Sequence, residues 1–224
     1  MKIGIIGAMP EEIELLLDKL ENPQKEAALG TLFYCGALHR KDIVLVKCGI
    51  GKVNAAVVTQ FLITGYGVEA VINLGMAGAV VESLDIGDTV ISKDLVYHDV
   101  MATAFGYKPG QIPGMDTFSF VAESKFTEIA EKFQGTVSGR IATGDQFVES
   151  AGRRTFIKDT FGALCVEMEG AAIAHTCYLN KIPFIVIRAV SDRASGDAFD
   201  EFKKNMDVAV RNSTDIAERI IKDI

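Results

Sequence analysis

Apolar residues fall along this chain in two alternating rhythms. Short runs rich in β-branched residues (KIGIIGA, DIVLVKCG, EAVINLG, DTVIS, GRIATGD, CVEME and PFIVIRAVSD) predict strands. Between them the period lengthens. Ile13, Leu16, Leu17 and Leu20 recur at i, i+3, i+4 and i+7 after the first strand, and Ile216, Ile220 and Ile221 form a similar stripe near the end. Strands interleaved with helices predict an α/β layer fold with a mostly buried sheet. No repeat, low-complexity segment or linker interrupts the pattern, so residues 1–224 read as one domain.

One segment keeps neither period. Tyr97 to Met115, YHDVMATAFGYKPGQIPGM, holds three glycines, two prolines, two tyrosines and a phenylalanine, and reads as a long functional loop. Exposed aromatics on such a loop should cover a pocket or a neighbouring subunit.

Composition narrows the classes. Hydrophobic residues at 49% and charged residues at 24% describe a globular chain. A mean hydropathy of +0.23 fits either apolar surface covered by a second subunit or a large α/β core. The net charge of −7 argues against nucleic acid as a partner, because phosphates demand Lys and Arg. No apolar run approaches the ~20 residues that span a bilayer. The start, MKIGIIGAMPEE, meets acids too early for a signal peptide and reads as a strand entering a helix, which points to the cytoplasm. Cys35, Cys48, Cys165 and Cys177 are too few and too dispersed for a disulfide framework and are expected as free, buried thiols.

Familiar motifs fail on spacing. GIIGAM is not a full G-x-G-x-x-G, and GIGKV has Val46 and Val53 where a phosphate loop needs Gly and Ser or Thr. His39, His98 and His175 have no metal-triad spacing, and there is no G-x-S-x-G elbow. Acids at strand ends survive: Glu11 and Glu12 after the first strand, Glu167 and Glu169 in LCVEMEGAAIAH, and Asp192 closing FIVIRAVSD. Ligands gather beyond the carboxyl ends of parallel strands, so these five could converge on one cleft. Plainer roles exist: Glu11 and Glu12 follow Pro10 and suit the first turn of a helix, and Asp192 could cap a turn. Capping explains at most one of Glu167 and Glu169. If that stretch stays extended, the two acids share a face.

Seven segments, MKIGIIGAMPEE, CGIGKVNAA, INLGMAGAV, YHDVMATAFGYKPGQIPG, IATGDQFV, VEMEGAAIAH and IRAVSD, follow one another in an order and spacing that resemble the nucleoside phosphorylase superfamily. The closest resemblance is to its bacterial 5′-methylthioadenosine/S-adenosylhomocysteine nucleosidase family. It implies a single α/β domain with a mixed central sheet flanked by helices, acting as a homodimer without cofactor or metal. It also implies hydrolysis of the N-glycosidic bond of adenine nucleosides with a thioether at the 5′ carbon. By this resemblance Glu12 is the base that activates water, beside Arg188, and Glu169 holds the ribose hydroxyls with the Met168 backbone. Phe147 stacks on adenine, the Val148 backbone reads its edge, and Asp192, supported by Ser191, protonates the purine. Met9, Ile50 and Phe199 line the thioether pocket, which Phe105, Tyr107 and Pro113 of the partner subunit complete.

The residue types suit that chemistry. Breaking an N-glycosidic bond builds positive charge on the sugar and negative charge on the base, so one acid must be protonated and another ionised. Asp192 and Glu12 are therefore expected to have pKa values pushed apart. The family pattern usually has Ser where this chain has Met76, which cannot donate a hydroxyl hydrogen bond. A phosphorolytic enzyme of the same fold needs arginines around phosphate, but Glu12 and Asn73 occupy those positions. A noncatalytic nucleoside-binding protein would have no need of all three acids Glu12, Glu169 and Asp192.

Overall fold

The structure is a computed structural model describing residues 1–224. Ten strands and six helices follow in order: β1 (Lys2–Gly7), α1 (Pro10–Leu17), β2 (Glu21–Ala28), β3 (Thr31–Leu38), β4 (Lys41–Lys47), α2 (Lys52–Tyr66), β5 (Ala70–Ala79), β6 (Thr89–Tyr97), β7 (Phe120–Val121), α3 (Ser124–Ala130), β8 (Thr136–Thr143), α4 (Ala151–Phe161), β9 (Cys165–Glu167), α5 (Gly170–Asn180), β10 (Phe184–Asp192) and α6 (Ala198–Asp223). The expected mixed α/β fold is present. The strand runs read from the sequence all lie in the sheet.

The sheet closes on itself. β5 pairs with β10, β10 with β6, β6 with β8, β8 with β9, and β9 returns to β5. From β5 an arm of β1, β4, β3 and β2 extends away from this ring. Parallel and antiparallel pairings mix: β1, β4, β5 and β10 run one way, and β6, β8 and β9 the other. The acids therefore do not all stand at the ends of one parallel set, since Glu167 ends β9, which is parallel to β8 and antiparallel to β5.

Alternation along the central strands feeds two cores. Ile3, Ile5, Ile72, Leu74, Ile185 and Ile187 pack with Ile13, Leu16, Ile216, Ile220 and Ile221 of α1 and α6. Ile6, Val71, Val186 and Val190 face Ala55, Val58 and Leu62 of α2 and Ala171, Ala174 and Cys177 of α5. Two sequence expectations shift here. Helix α1 ends at Leu17, so Leu20 is buried beyond the helix rather than on its stripe. Strands β2 and β3 form a hairpin that the pattern did not predict, because β2 reads ENPQKEAA and is almost wholly exposed. Leu29 and Gly30, at φ 52° and 72°, supply the two left-handed residues that a tight hairpin turn requires.

Candidate active site

Glycines in β5 make the site possible. A Cβ on Gly75 would collide with Glu12 Oε1 and lie 2.9 Å from Arg188 Nη1, and one on Gly78 would lie 2.7 Å from Asp192 Oδ1. Side chains from α1 and β10 thus lean across β5 at the two positions where it carries no side chain. A bulge between Val190 and Asp192 breaks the β10–β5 register at that point, and such bulges re-aim the residues beside them.

Glu12, Glu167, Glu169 and Asp192 line one cavity of about 480 Å³ with Met9, Ile50, Met76, Phe147, Met168, Ser191, Phe199 and Phe202. Glu11, the fifth acid, is exposed in the first turn of α1, as its helix-dipole reading allows. Glu12 combines capping with the cavity. Its Oε2 accepts from the backbone N–H of Ala8 (2.5 Å) and Met9 (3.0 Å), and its Oε1 accepts from Met76 N–H (3.2 Å). Met76 therefore supplies a backbone donor, while its side chain packs beside Ala189, Ala209 and Val210.

Glu167 finds its partners inside the chain. Its Oε2 accepts from the Glu169 and Gly170 amides at the start of α5 (3.0 and 2.7 Å) and from Arg188 Nη2 (2.5 Å), and Thr143 holds the other oxygen. Arg188 also donates to Asn73 Oδ1 (2.7 Å), and Asn73 in turn donates to the Ile6 carbonyl (2.8 Å). A buried ion pair with this many hydrogen bonds avoids the several kcal/mol that an unpaired buried charge costs. Arg188 is 1% exposed and sits behind the cavity, not on its wall. The extended reading of residues 164–169 stops at Glu167; Glu169 is the N-cap of α5, with φ −130° and ψ −37°. Its Oε2 lies 3.8 Å from Arg188, and its Oε1 accepts from Gly51 N–H (2.8 Å).

Three carboxyls, Glu167, Glu12 and Glu169, face one guanidinium, and Asp192 stands beyond its influence. Burial, then the neighbouring Glu167 charge, push Glu169 up to about 8. Burial raises Glu12, opposed by Arg188 and by the backbone amides of Met9, Ala8 and Met76. Burial also raises Asp192, opposed by the Ala194 amide and the Ser191 hydroxyl, which contact Oδ1 and Oδ2 at 2.9 Å each. The two catalytic candidates therefore shift in the same direction, not apart. What distinguishes them is the cation: Arg188 offsets burial at Glu12 and does not at Asp192.

Some expected residues lie elsewhere. Val148 is buried in a satellite core and is absent from the cavity lining. Phe105, Tyr107 and Pro113 sit on the segment between β6 and β7, away from their own chain's cavity, and Phe105 is 83% exposed. Phe202 was missed by sequence reading. It lies at the first turns of α6 with its ring 6.2 Å from Phe147, edge-on, three residues after Phe199. That i, i+3 spacing on one helix face was the available signal.

The phosphorylase superfamily model matches residues 2–222. The chain belongs to this superfamily. Within it the chain falls in the 5′-methylthioadenosine/S-adenosylhomocysteine nucleosidase family. It is 46% identical over 226 residues to the nucleosidase of Staphylococcus haemolyticus, covering 98% of this chain and 99% of that protein. The Streptococcus pneumoniae nucleosidase bound to the transition-state inhibitor MT-ImmA superposes with a TM-score of 0.95 at 40% identity, over 99% of both chains. Futalosine hydrolase of Helicobacter pylori also has a TM-score of 0.95, at 32% identity, covering all of this chain and 98% of that one.

Proposed function

We propose that this protein hydrolyses the N-glycosidic bond of 5′-methylthioadenosine and S-adenosylhomocysteine, releasing adenine and the 5-thio-substituted ribose, with residues 1–224 acting as one nucleosidase domain. The observation that carries the reading is the convergence of Glu12, Glu169 and Asp192 on one cavity with Arg188 behind them. Asp192, whose neutral form burial favours, donates a proton to the purine as the bond lengthens. Glu12, whose charged form Arg188 and the amides of Met9, Ala8 and Met76 favour against the effect of burial, takes a proton from the attacking water. Glu169 accepts from the ribose diol, with Met168 beside it, and Phe147 stacks on adenine. Met9, Ile50 and Phe199 receive the thioether. Because Val148 stands outside the lining, its role is confined to a backbone contact with the base edge.

The excess of carboxyls favours this reaction over phosphorolysis. Negative charge stabilises an oxocarbenium-like sugar and repels a phosphate dianion. The exposed Phe105, together with Met101, Val53 and Val57, supports a homodimer in which Phe105, Tyr107 and Pro113 of each subunit close the other's cavity. No helix is long and apolar enough to cross a membrane, and a cytoplasmic setting fits the unpaired cysteines.

The test is to incubate the protein with methylthioadenosine, with and without phosphate and with and without a chelator. Free thio-ribose in every arm is expected. Sugar 1-phosphate, or activity that chelation abolishes and added metal restores, would overturn the proposal. Because a futalosine hydrolase shares the fold, the same assay includes 6-amino-6-deoxyfutalosine and 5′-deoxyadenosine, whose adenine and ribose meet the same groups.

A further inference from the structure

GIGKV fails as a phosphate loop, yet its lysine occupies a junction. Lys52 Nζ lies 2.6 Å from Asp99 Oδ2 and 3.7 Å from Asp145 Oδ2. The Lys52 ammonium lies over the Tyr97 ring, 5.4 Å from its centroid. The backbone joins the same three residues: Lys52 N–H donates to Asp145 Oδ1 (2.8 Å), and Asp145 N–H donates to Asp99 Oδ2 (2.9 Å). Gly51, the N-cap of α2, has no side chain to cap its helix, so Asp145 does this from another segment. A Cβ on Gly51 would lie 3.1 Å from Asp145 Oδ1, so the approach is close.

Each member of the cluster anchors a different part of the cavity. Gly51 N–H is the donor that holds Glu169. Asp145 stands two residues before Phe147. Asp99 roots the segment that carries Phe105, Tyr107 and Pro113. Lys52 and Asp99 are mostly buried, where an ion pair is screened little by solvent, and Lys52 with the Asp145 amide holds Asp99 below its usual range against the effect of burial.

We propose that Lys52, Asp99 and Asp145 form a positioning latch that bolts the Phe147 segment to the Gly51 amide, fixing the base-stacking wall of the cavity relative to Glu169. The latch touches no reacting atom and acts on the substrate through Phe147 and Glu169. It rests on the nucleosidase reading of those two residues.

Lys52→Met keeps an unbranched apolar side chain and removes the charge that pairs with Asp99 and lies over Tyr97. Affinity for a non-cleavable methylthioadenosine analogue should fall about tenfold or more, since small misplacements of binding groups carry large penalties. The limbs of the pH–rate profile, set by Glu12 and Asp192, should stay in place. Lys52→Arg, which can reach both carboxylates, should regain most of the affinity. Asp145→Asn retains an acceptor for Lys52 N–H and loses the charge, and provides a second variant whose folding does not depend on Lys52→Met. In a double-mutant cycle with Phe147→Ala, the losses should fall short of multiplying, because the latch has nothing to position once the ring is gone. Analogue affinity unchanged in both Lys52→Met and Asp145→Asn, or losses that multiply in the cycle, would overturn the latch alone. Unmodified protein that neither binds the analogue nor releases adenine would overturn the nucleosidase reading, and the latch with it.

Discussion

Glu167 and Phe105 mark two ways of building one cavity. Glu167 sits on the floor, where amides of α5, Thr143 and Arg188 occupy both of its oxygens. Phe105 stands on a 3₁₀ turn, Thr103–Phe105, and presents 83% of its surface to solvent. At Glu167 the charge is buried and answered inside the chain, so its geometry is fixed before any ligand arrives. In the segment between β6 and β7, apolar surface is left unanswered, which costs nothing in buried polarity and, in the homodimer proposed above, leaves the contact to a second copy. Chemistry that depends on proton positions belongs on the floor. Contacts that must open for substrate entry belong on the rim.

Asp192→Asn should break the floor most severely. Asn keeps the size and can still donate a hydrogen bond, but it cannot transfer a proton. General acid catalysis is worth about 10² to 10⁴ in rate, or roughly 3 to 5 kcal/mol. Single-turnover cleavage of methylthioadenosine should fall by that much while analogue affinity is retained, and a nucleoside whose leaving group departs unprotonated should recover much of the loss. Cleavage at the unmodified rate would remove Asp192 from the mechanism, and equal losses on both substrates would make it a positioning group.

Gly75→Ala attacks the same floor without touching an acid. The new methyl group must displace Glu12 Oε1 or Arg188, which lean over β5 at that position. Turnover should drop by about 10²-fold, the scale of a misplacement near 1 Å. Overpacking should also lower stability by about 1–3 kcal/mol, readable by denaturant titration. Full activity would mean that β5 can move aside and that the floor is softer than its hydrogen bonds imply.

Legibility divides along the same line. Strands β1, β4, β5, β6, β9 and β10 could be read because burial along most of their length forces apolar β-branched runs, and β8 through its buried end, Ile141 to Thr143. β2 could not, because an exposed edge strand places no demand on side chains, and its pairing is backbone alone. Closure of the sheet between β5 and β10 joins residues more than a hundred positions apart and leaves no local trace. Among the site residues, Glu12, Glu169 and Asp192 stood out as acids in apolar company. Arg188 had no signal of its own within its strand and was named only through the family resemblance; Glu167 and Asn73 around it give the physical reason for its place. Glu11 and Glu12 are adjacent and chemically alike, and only the turn of α1 separates the exposed one from the buried one.

Phe105→Ala tests the rim. Truncating a buried aromatic costs ~3–5 kcal/mol in a core and less at a mobile edge. Analogue affinity should therefore weaken by roughly tenfold while the pH profile stays fixed, and the effect should vanish from protein diluted to monomer, where the rim is missing anyway. Sedimentation and activity measured across the same dilution series decide this. A monomer with full activity would show that the floor suffices and that Phe105 serves no site.

The smallest effect should be in Glu169→Gln, read as stability rather than rate. Glu169 is pushed up to about 8 by burial and by Glu167, above the value near 4.5 of a free carboxyl. Below the lower value the group is neutral in both folded and unfolded chains and contributes no difference. As pH rises toward 8, the unfolded chain ionises freely while the folded chain resists, so stability is lost progressively across that window and no further above it. Gln keeps an acceptor for Gly51 N–H and never ionises, so it escapes this loss. Its melting temperature should match that of the unmodified protein near pH 5 and exceed it by a margin on the order of 2–4 °C per kcal/mol at pH 9. The gap should shrink when a ribose analogue is bound, because the diol donates to the carboxylate and stabilises its charged form. A melting-temperature difference that is flat from pH 5 to 9 would mean that Glu169 is already ionised in the empty cavity, and that the floor answers this charge as fully as it answers Glu167.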